Sequence, residues 1–306
     1  MNKNVILVRT RSFASIDYLE NSLKTIKKNQ FQIIENVKSH FDLQMNVKKS
    51  VIGIVAGVEQ YDVYEILTFP NLLVISRVGV GLDSVDLGCA RSQNITIRVT
   101  ESSAPTEAVA EFTLLCILDG LRNLSTNSEK TKRKSWSPVV GRELSEICVG
   151  LVGLGRIGSR VAEILTYFGA RVIVCDPIAN NSKYEFVTMS TLFKQSDVVS
   201  IHIPMNDDNR NVVDLELLRT LKHNAIFINT SRGSIVNERD IEQILLEKNI
   251  KAYLDVFVTE PYVGPLLDSP NVIPTSHIAG RTMSNRIKME REAIDNLVEE
   301  LRKKGF

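Results

Sequence analysis

The chain has almost no net charge: 37 Lys and Arg face 36 Asp and Glu over 306 residues. That balance excludes the broad positive field by which proteins hold nucleic acid or an anionic membrane, and it points to small-molecule partners. Cysteine is scarce. Cys89, Cys116, Cys148 and Cys175 stand far apart without metal-ligand spacing, and three of them lie in apolar runs, so reduced, buried thiols are expected. The four histidines, His40, His202, His223 and His277, form no local ligand pair, and no metal is expected. No apolar run reaches membrane-spanning length. The start leads straight into a short strand at 5–8 without the apolar core of a signal peptide, so a cytoplasmic location is the default expectation. Internal repeats and low-complexity tracts are also missing.

What is present begins with Gly153-Leu154-Gly155-Arg156-Ile157-Gly158. The run follows an apolar segment, 147–152, that reads as a buried strand, and it opens a helical pattern at 160–168. A second strand, 171–175, ends at the carboxylate Asp176. Glycines in this spacing let the chain turn sharply, admit a pyrophosphate close to backbone and pack helix on sheet, while the helix start offers free N–H groups to phosphate. Asp176 can accept both hydroxyls of a ribose. Strand, glycine loop, helix, strand and acid in this order predict a dinucleotide site, with Gly153, Gly155, Gly158 and Asp176 as its residues and NAD as cofactor.

At this length two domains are expected. From 5 to 100, short apolar strands (51–56, 72–76, 95–99) alternate with polar helix-like segments, the pattern of a parallel α/β sheet. Residues 105–124 predict a helix, apolar nearly all round and therefore buried. The basic stretch 125–141, which holds the single tryptophan, Trp136, reads as a surface connection or partner contact. Strands at 197–202, 225–229 and 251–255 then complete a six-stranded doubly wound sheet. A last helix, 284–303, carries Ile287, Ile294, Leu297, Val298 and Leu301 on one face and is expected to return to the first domain.

Three polar residues stand just after strands of that sheet, where open α/β folds bind ligands. They are Arg232, Glu260 and His277. A guanidinium can grip a carboxylate bidentately and polarise the neighbouring carbonyl, and an imidazole can give a proton to the oxygen that gains charge on reduction. A carboxylate fixes the ring and favours its charged form. Each also has a plain structural role open to it: a surface charge for Arg232, a cap for Glu260, a satisfied polar group for His277. His202, beside Pro204 at a strand end, is expected to pack or hydrogen-bond near the cofactor.

Read together, these segments resemble the D-isomer-specific 2-hydroxyacid dehydrogenases over nearly the whole chain. The run 77–86 is similar to that family's substrate loop and 107–111 to its interdomain helix. Gly153–Gly158, His202-Ile203-Pro204, Ser231-Arg232-Gly233, Asp255-Val256-Phe257 with Glu260-Pro261, and His277-Ile278-Ala279-Gly280 follow in family order. The resemblance implies an α/β fold in which a Rossmann-type doubly wound nucleotide domain, 101–283, is inserted into a flavodoxin-like substrate domain, 1–100 plus 284–306. It implies a homodimer, and an NAD-dependent enzyme that interconverts a 2-oxo acid and the (R)-2-hydroxy acid. By the same resemblance Arg232 orients the substrate, Glu260 supports, His277 is the acid/base, and amides around Val78 and Gly79 hold the substrate carboxylate. Arg156, Ile157, Thr230, Asp255 and Gly280 inherit cofactor roles.

The nearest-looking branch is 3-phosphoglycerate dehydrogenase, on the run 75–81 with Val85-Asp86-Leu87, in a short form that ends at Phe306 without a regulatory module. Arg77 could then reach a substrate phosphate; equally, it could pair with Asp83 or Asp86 to hold the loop. Departures from the family pattern are Met205-Asn206-Asp207-Asp208-Asn209-Arg210 where threonines are frequent, Ser276 in place of a proline, and Asn237 in place of an aspartate. Two rival readings stay open: a nucleotide-sensing scaffold on the same fold, and a different hydride acceptor such as formate or phosphonate.

Overall fold

The structure is a computed structural model that describes residues 3–10, 16–24, 31–35, 41, 43–101, 105–179 and 183–306, so that His40 lies outside the described residues. The chain divides into two compact units, Met1–Ala104 with Thr282–Phe306, and Pro105–Arg281.

The first unit carries a parallel five-stranded sheet built from β1 (Asn4–Val8), β2 (Phe31–Glu35), β3 (Val51–Ala56), β4 (Val74–Arg77) and β5 (Thr96–Arg98), in the order β2-β1-β3-β4-β5. That is the flavodoxin-like order. β2 is absent from the sequence expectation because it is only partly buried and shows no alternation of apolar and polar positions. The helix Met283–Lys303 belongs to this unit. Its stripe of Ala293, Ile294, Leu297 and Leu301 is fully buried in one apolar cluster with Ile6 and Val74. Burial of each such large side chain stabilises by about 1.5–3 kcal/mol. Ser76 Oγ donates to Ala293 O at 2.6 Å and ties helix to sheet.

The second unit is a parallel seven-stranded sheet, one strand more than expected: β6 (Cys148–Val152), β7 (Arg171–Cys175), β8 (Glu185–Phe186), β9 (Val198–Ile201), β10 (Ile226–Asn229), β11 (Lys251–Leu254) and β12 (Val272–Pro274). The order β12-β11-β10-β9-β6-β7-β8 runs outward in both directions from β6, so the chain reverses between β6 and β9. At such a switch point the loops after the two strands diverge and leave room for a ligand at their carboxyl ends. Gly153 follows β6 and His202 follows β9.

Two helical expectations are corrected. The helix Thr106–Arg122 is not buried all round: Leu115 and Leu118 are exposed. Residues expected to form only a connection begin with a helix, Leu124–Lys132, after Asn123 turns the chain in the left-handed region at φ 55. That helix is polar on every side, so it has no apolar period to announce it. The four cysteines are free, and burial pushes the Cys116 thiol up to about 12, leaving it unreactive near neutral pH. No helix among the described residues is long and apolar enough to cross a membrane.

Candidate active site

The glycine loop is shaped by what its neighbours exclude. Gly153 sits at φ 99, a region open to glycine, and a Cβ there would lie 2.8 Å from His202 O. A Cβ at Gly158 would come within 2.1 Å of Gly153 O, so the helix Arg156–Tyr167 can pass this close to the loop only because the position is bare. At Gly155 a Cβ would meet nothing within 4 Å. That residue caps the helix without any side-chain partner, leaving an open approach to helix-start amides. These features fit the pyrophosphate of a dinucleotide.

Asp176, directly after β7, completes the loop. Its Oδ2 accepts the Leu154 amide at 2.7 Å, and Oδ1 accepts Ile178 and Ala179 amides at 2.8 and 2.9 Å. Burial works to raise this carboxyl, but the three amides outweigh it and hold it below the usual carboxylate range. The acid is therefore ionised and fixed beside the glycine loop, as a partner for ribose hydroxyls should be. His202 packs under the same loop, with Nε2 2.9 Å from Ser200 Oγ, and burial pushes its pKa down to about 4. Its ring is a neutral packing group, the role expected for it. Ile157 packs against the apolar cluster beneath the helix, and Arg156 faces outward.

The three chemical residues lie on loops after β10, β11 and β12. His277 Nδ1 is 2.9 Å from Glu260 Oε2, with the two side chains 42% and 38% exposed. Glu260 Oε1 also accepts the Phe257 amide at 3.2 Å. Burial works to raise the Glu260 carboxyl; the His277 hydrogen bond and charge, the Phe257 amide and the Arg232 charge prevail and hold it below its ordinary value. Arg232 is brought near by a close approach of backbone, since a Cβ at Gly233 would fall 2.0 Å from the Phe257 carbonyl carbon. Its Nη1 donates to Ser231 O at 2.7 Å. The structure thus groups all three residues in the second unit.

Asp255 organises this group. The residue is 1% exposed: its Oδ1 accepts the Thr275 hydroxyl at 2.6 Å and the Ile278 amide at 2.8 Å, and Oδ2 accepts the Ala279 amide at 2.9 Å. The residue expected to serve the cofactor spends its side chain on the loop that carries His277. Thr230 Oγ1 stands 3.5 Å from Thr113 Oγ1, and a Cβ at Gly280 would meet Pro105 Cβ at 3.1 Å. Two segments that depart from the expected pattern make local hydrogen bonds of their own. Asn237 accepts the Arg239 amide at the start of the helix Glu238–Glu247, and Asn206 Oδ1 accepts the Asn209 amide at 2.8 Å, while Asp207 and Asp208 face outward. The hydroxyls of Thr275 and Ser231, the latter donating to Ile203 O, are further polar groups of the site, and each stands one or two residues from a residue that the sequence singles out.

In the first unit, the amides of Val78 and Gly79 are not free for a carboxylate as expected. Val78 N donates to Ala56 O at 2.9 Å, and Gly79 N to Thr100 Oγ1 at 2.9 Å and Arg77 O at 3.1 Å. Tying the loop to β3 and to the end of β5 uses both donors. Arg77 is 9% exposed, and its Nε donates to Ser84 Oγ at 3.3 Å within the same loop.

A family model described as D-isomer specific 2-hydroxyacid dehydrogenase, NAD binding domain, matches residues 114–279. A hydroxypyruvate reductase of Thermotoga maritima is 32% identical over 241 residues, covering 76% of this chain and 78% of that protein. A glyoxylate reductase of Aeropyrum pernix is 35% identical over 246 residues, covering 75% of this chain and 73% of that one. The crystal structure of the TT0316 protein from Thermus thermophilus superposes with a TM-score of 0.86 at 28% identity, over 98% of this chain and 97% of that chain.

Proposed function

Because the chain belongs to the D-isomer-specific 2-hydroxyacid dehydrogenase family, and so is an NAD-dependent oxidoreductase of 2-hydroxy acids, we propose that it reduces a short 2-oxo acid of the glyoxylate or hydroxypyruvate class, with His277 as proton donor. The His277–Glu260 pair at 2.9 Å carries this reading. NADH, when bound, supplies the hydride for the carbonyl carbon. Arg232 grips the substrate carboxylate with its planar fork and polarises the adjacent carbonyl. His277 gives its proton to the carbonyl oxygen as charge develops there, and ionised Glu260 holds the ring through Nδ1. Gly153, Gly155, Gly158 and Asp176 would hold the cofactor.

A phosphorylated substrate is the weaker choice. Arg77, the residue that would meet the phosphate, donates within its own loop to Ser84, and a Cβ at Gly79 would lie 2.8 Å from its Nη1. That folded-back guanidinium supports the loop-holding role. The exposed apolar side chains Leu115, Leu118, Leu124, Trp136 and Val140 support a homodimer whose second copy covers them.

The test is NADH oxidation with glyoxylate, hydroxypyruvate, pyruvate and 3-phosphohydroxypyruvate, repeated with His277→Ala. A positioned proton donor contributes about 10² to 10⁴ in rate, so the variant should lose kcat by that order and keep its NADH affinity. Binding of NADH without turnover of any 2-oxo acid would favour the nucleotide-sensing scaffold instead.

A further inference from the structure

His277 holds a backbone conformation that is uncommon for any residue with a side chain. Its φ is 55, in the left-handed region where a Cβ crowds the following carbonyl. A loop left to itself would relax, and the ring would leave Glu260. What resists is a set of bonds that converge on Asp255. Its backbone O accepts the His277 amide at 2.9 Å and its N donates to Asn229 O at 3.0 Å, fixing the residue to β10. Its carboxylate takes the Ile278 and Ala279 amides on the far side of His277. On the near side the restraint is the Thr275 hydroxyl at 2.6 Å, with Thr275 N donating to Leu254 O at 3.0 Å.

The left-handed residue is thereby bracketed. Backbone bonds and the two amides can form with any residue at 275, since they need no side chain. The third carboxylate bond cannot. A buried carboxylate with an unused lone pair will turn toward another donor, and the amides of 278 and 279 would follow it. The hydroxyl therefore sets the rotation of the carboxylate, the carboxylate sets the 277–279 backbone, and the backbone sets the ring.

We infer that Thr275 is a positioning residue for the proton-donating imidazole, acting through Asp255 to hold His277 at the left-handed φ that faces it to Glu260. The inference rests on the reading of His277 as the proton donor. Thr275 touches neither substrate nor cofactor in this role; its effect is geometric.

Two variants and two readouts test it. Thr275→Val keeps shape and removes the donor; Thr275→Ser keeps the donor in a smaller side chain. Imidazole resonances of the cofactor-free protein, assigned by comparison with His277→Ala, report ring placement without any activity. Thr275→Val should shift or split the His277 signals and leave those of His202 and His223 unmoved. It should lower kcat by about ten- to a hundredfold while the Kd for NADH stays within about twofold. Thr275→Ser should restore both the spectrum and kcat to within about threefold. An unmoved His277 signal in Thr275→Val, or valine and serine variants equally impaired, would overturn the inference. If Thr275→Val unfolds, the serine variant decides alone: a displaced His277 signal with the hydroxyl present overturns it. Failure of the proton-donor reading is seen separately, as undiminished turnover in His277→Ala with an intact Thr275.

Discussion

The carboxylate of Asp176 and the amide of Leu154, 22 positions apart, are joined at 2.7 Å, so the acid that would read the ribose also closes the glycine loop. A 2′-phosphate would bring like charge against a carboxylate held ionised by three amides. NADH should therefore be preferred over NADPH by at least about tenfold in kcat/KM, the equivalent of about 1.4 kcal/mol. Asp176→Ser should reduce the preference mostly by losing NADH affinity. Equal kcat/KM with both cofactors in the unmutated protein would remove Asp176 from the ribose site.

Gly155 and Gly158 should respond differently to the same change. At 158 a methyl group would overlap Gly153 O, and overpacking against fixed backbone typically costs about 1–3 kcal/mol, so Gly158→Ala should lower Tm even without cofactor. At 155 the methyl meets nothing, so Gly155→Ala should keep Tm and weaken NADH binding alone. A Gly155→Ala variant that binds NADH normally would mean the pyrophosphate does not approach this face of the loop.

These contrasts show what the sequence could carry. A glycine loop is legible because its demands are local: one φ, two close approaches and a following helix. The acid after β7 is legible for the same reason, since a strand end fixes its place. The short strands β2 and β8 are not, because neither shows the alternation that betrays a strand with one buried face. The helix Leu124–Lys132 lacks any apolar stripe. Leu115 and Leu118 look like core and stand exposed because burial is set by neighbours, not by residue type. In the site, Arg232, Glu260 and His277 could be chosen one by one, but the use made of Asp255 could not. Nothing in a chain of letters says that its three acceptor bonds go to a loop 20 to 24 positions on.

Arg77 gives a prediction of the same kind for the first unit. With its guanidinium folded over Gly79 and bonded to Ser84, Arg77→Ala should loosen the loop for every substrate. KM for glyoxylate, hydroxypyruvate and 3-phosphohydroxypyruvate should rise by similar factors, about three- to tenfold, the loss of roughly one hydrogen bond. A KM increase confined to the phosphorylated acid would instead mark Arg77 as a phosphate ligand and bring back the phosphoglycerate reading.

His202 makes the fold acid-sensitive in a defined window. In the unfolded chain a histidine takes up its proton near pH 6.5, whereas burial under the glycine loop pushes the folded value down to about 4. Above 6.5 both states are neutral at this site and its contribution to stability is fully present. As pH falls from there towards 4 the unfolded chain binds a proton that the native one refuses, and stability is lost. Below 4 both states are charged and no more is lost. The gap of about 2.5 units sets an upper bound of about 3 kcal/mol, since a partly buried ring keeps some contact with water. His202→Asn keeps a polar group for Ser200 and removes the titration. Urea midpoints followed by circular dichroism at pH 7 and pH 4.5 should therefore fall further in the unmutated protein than in the asparagine variant, by an amount worth about 2 kcal/mol. All other titrating groups act alike in both proteins, so equal falls would show that His202 is already charged, or already solvated, in the native state.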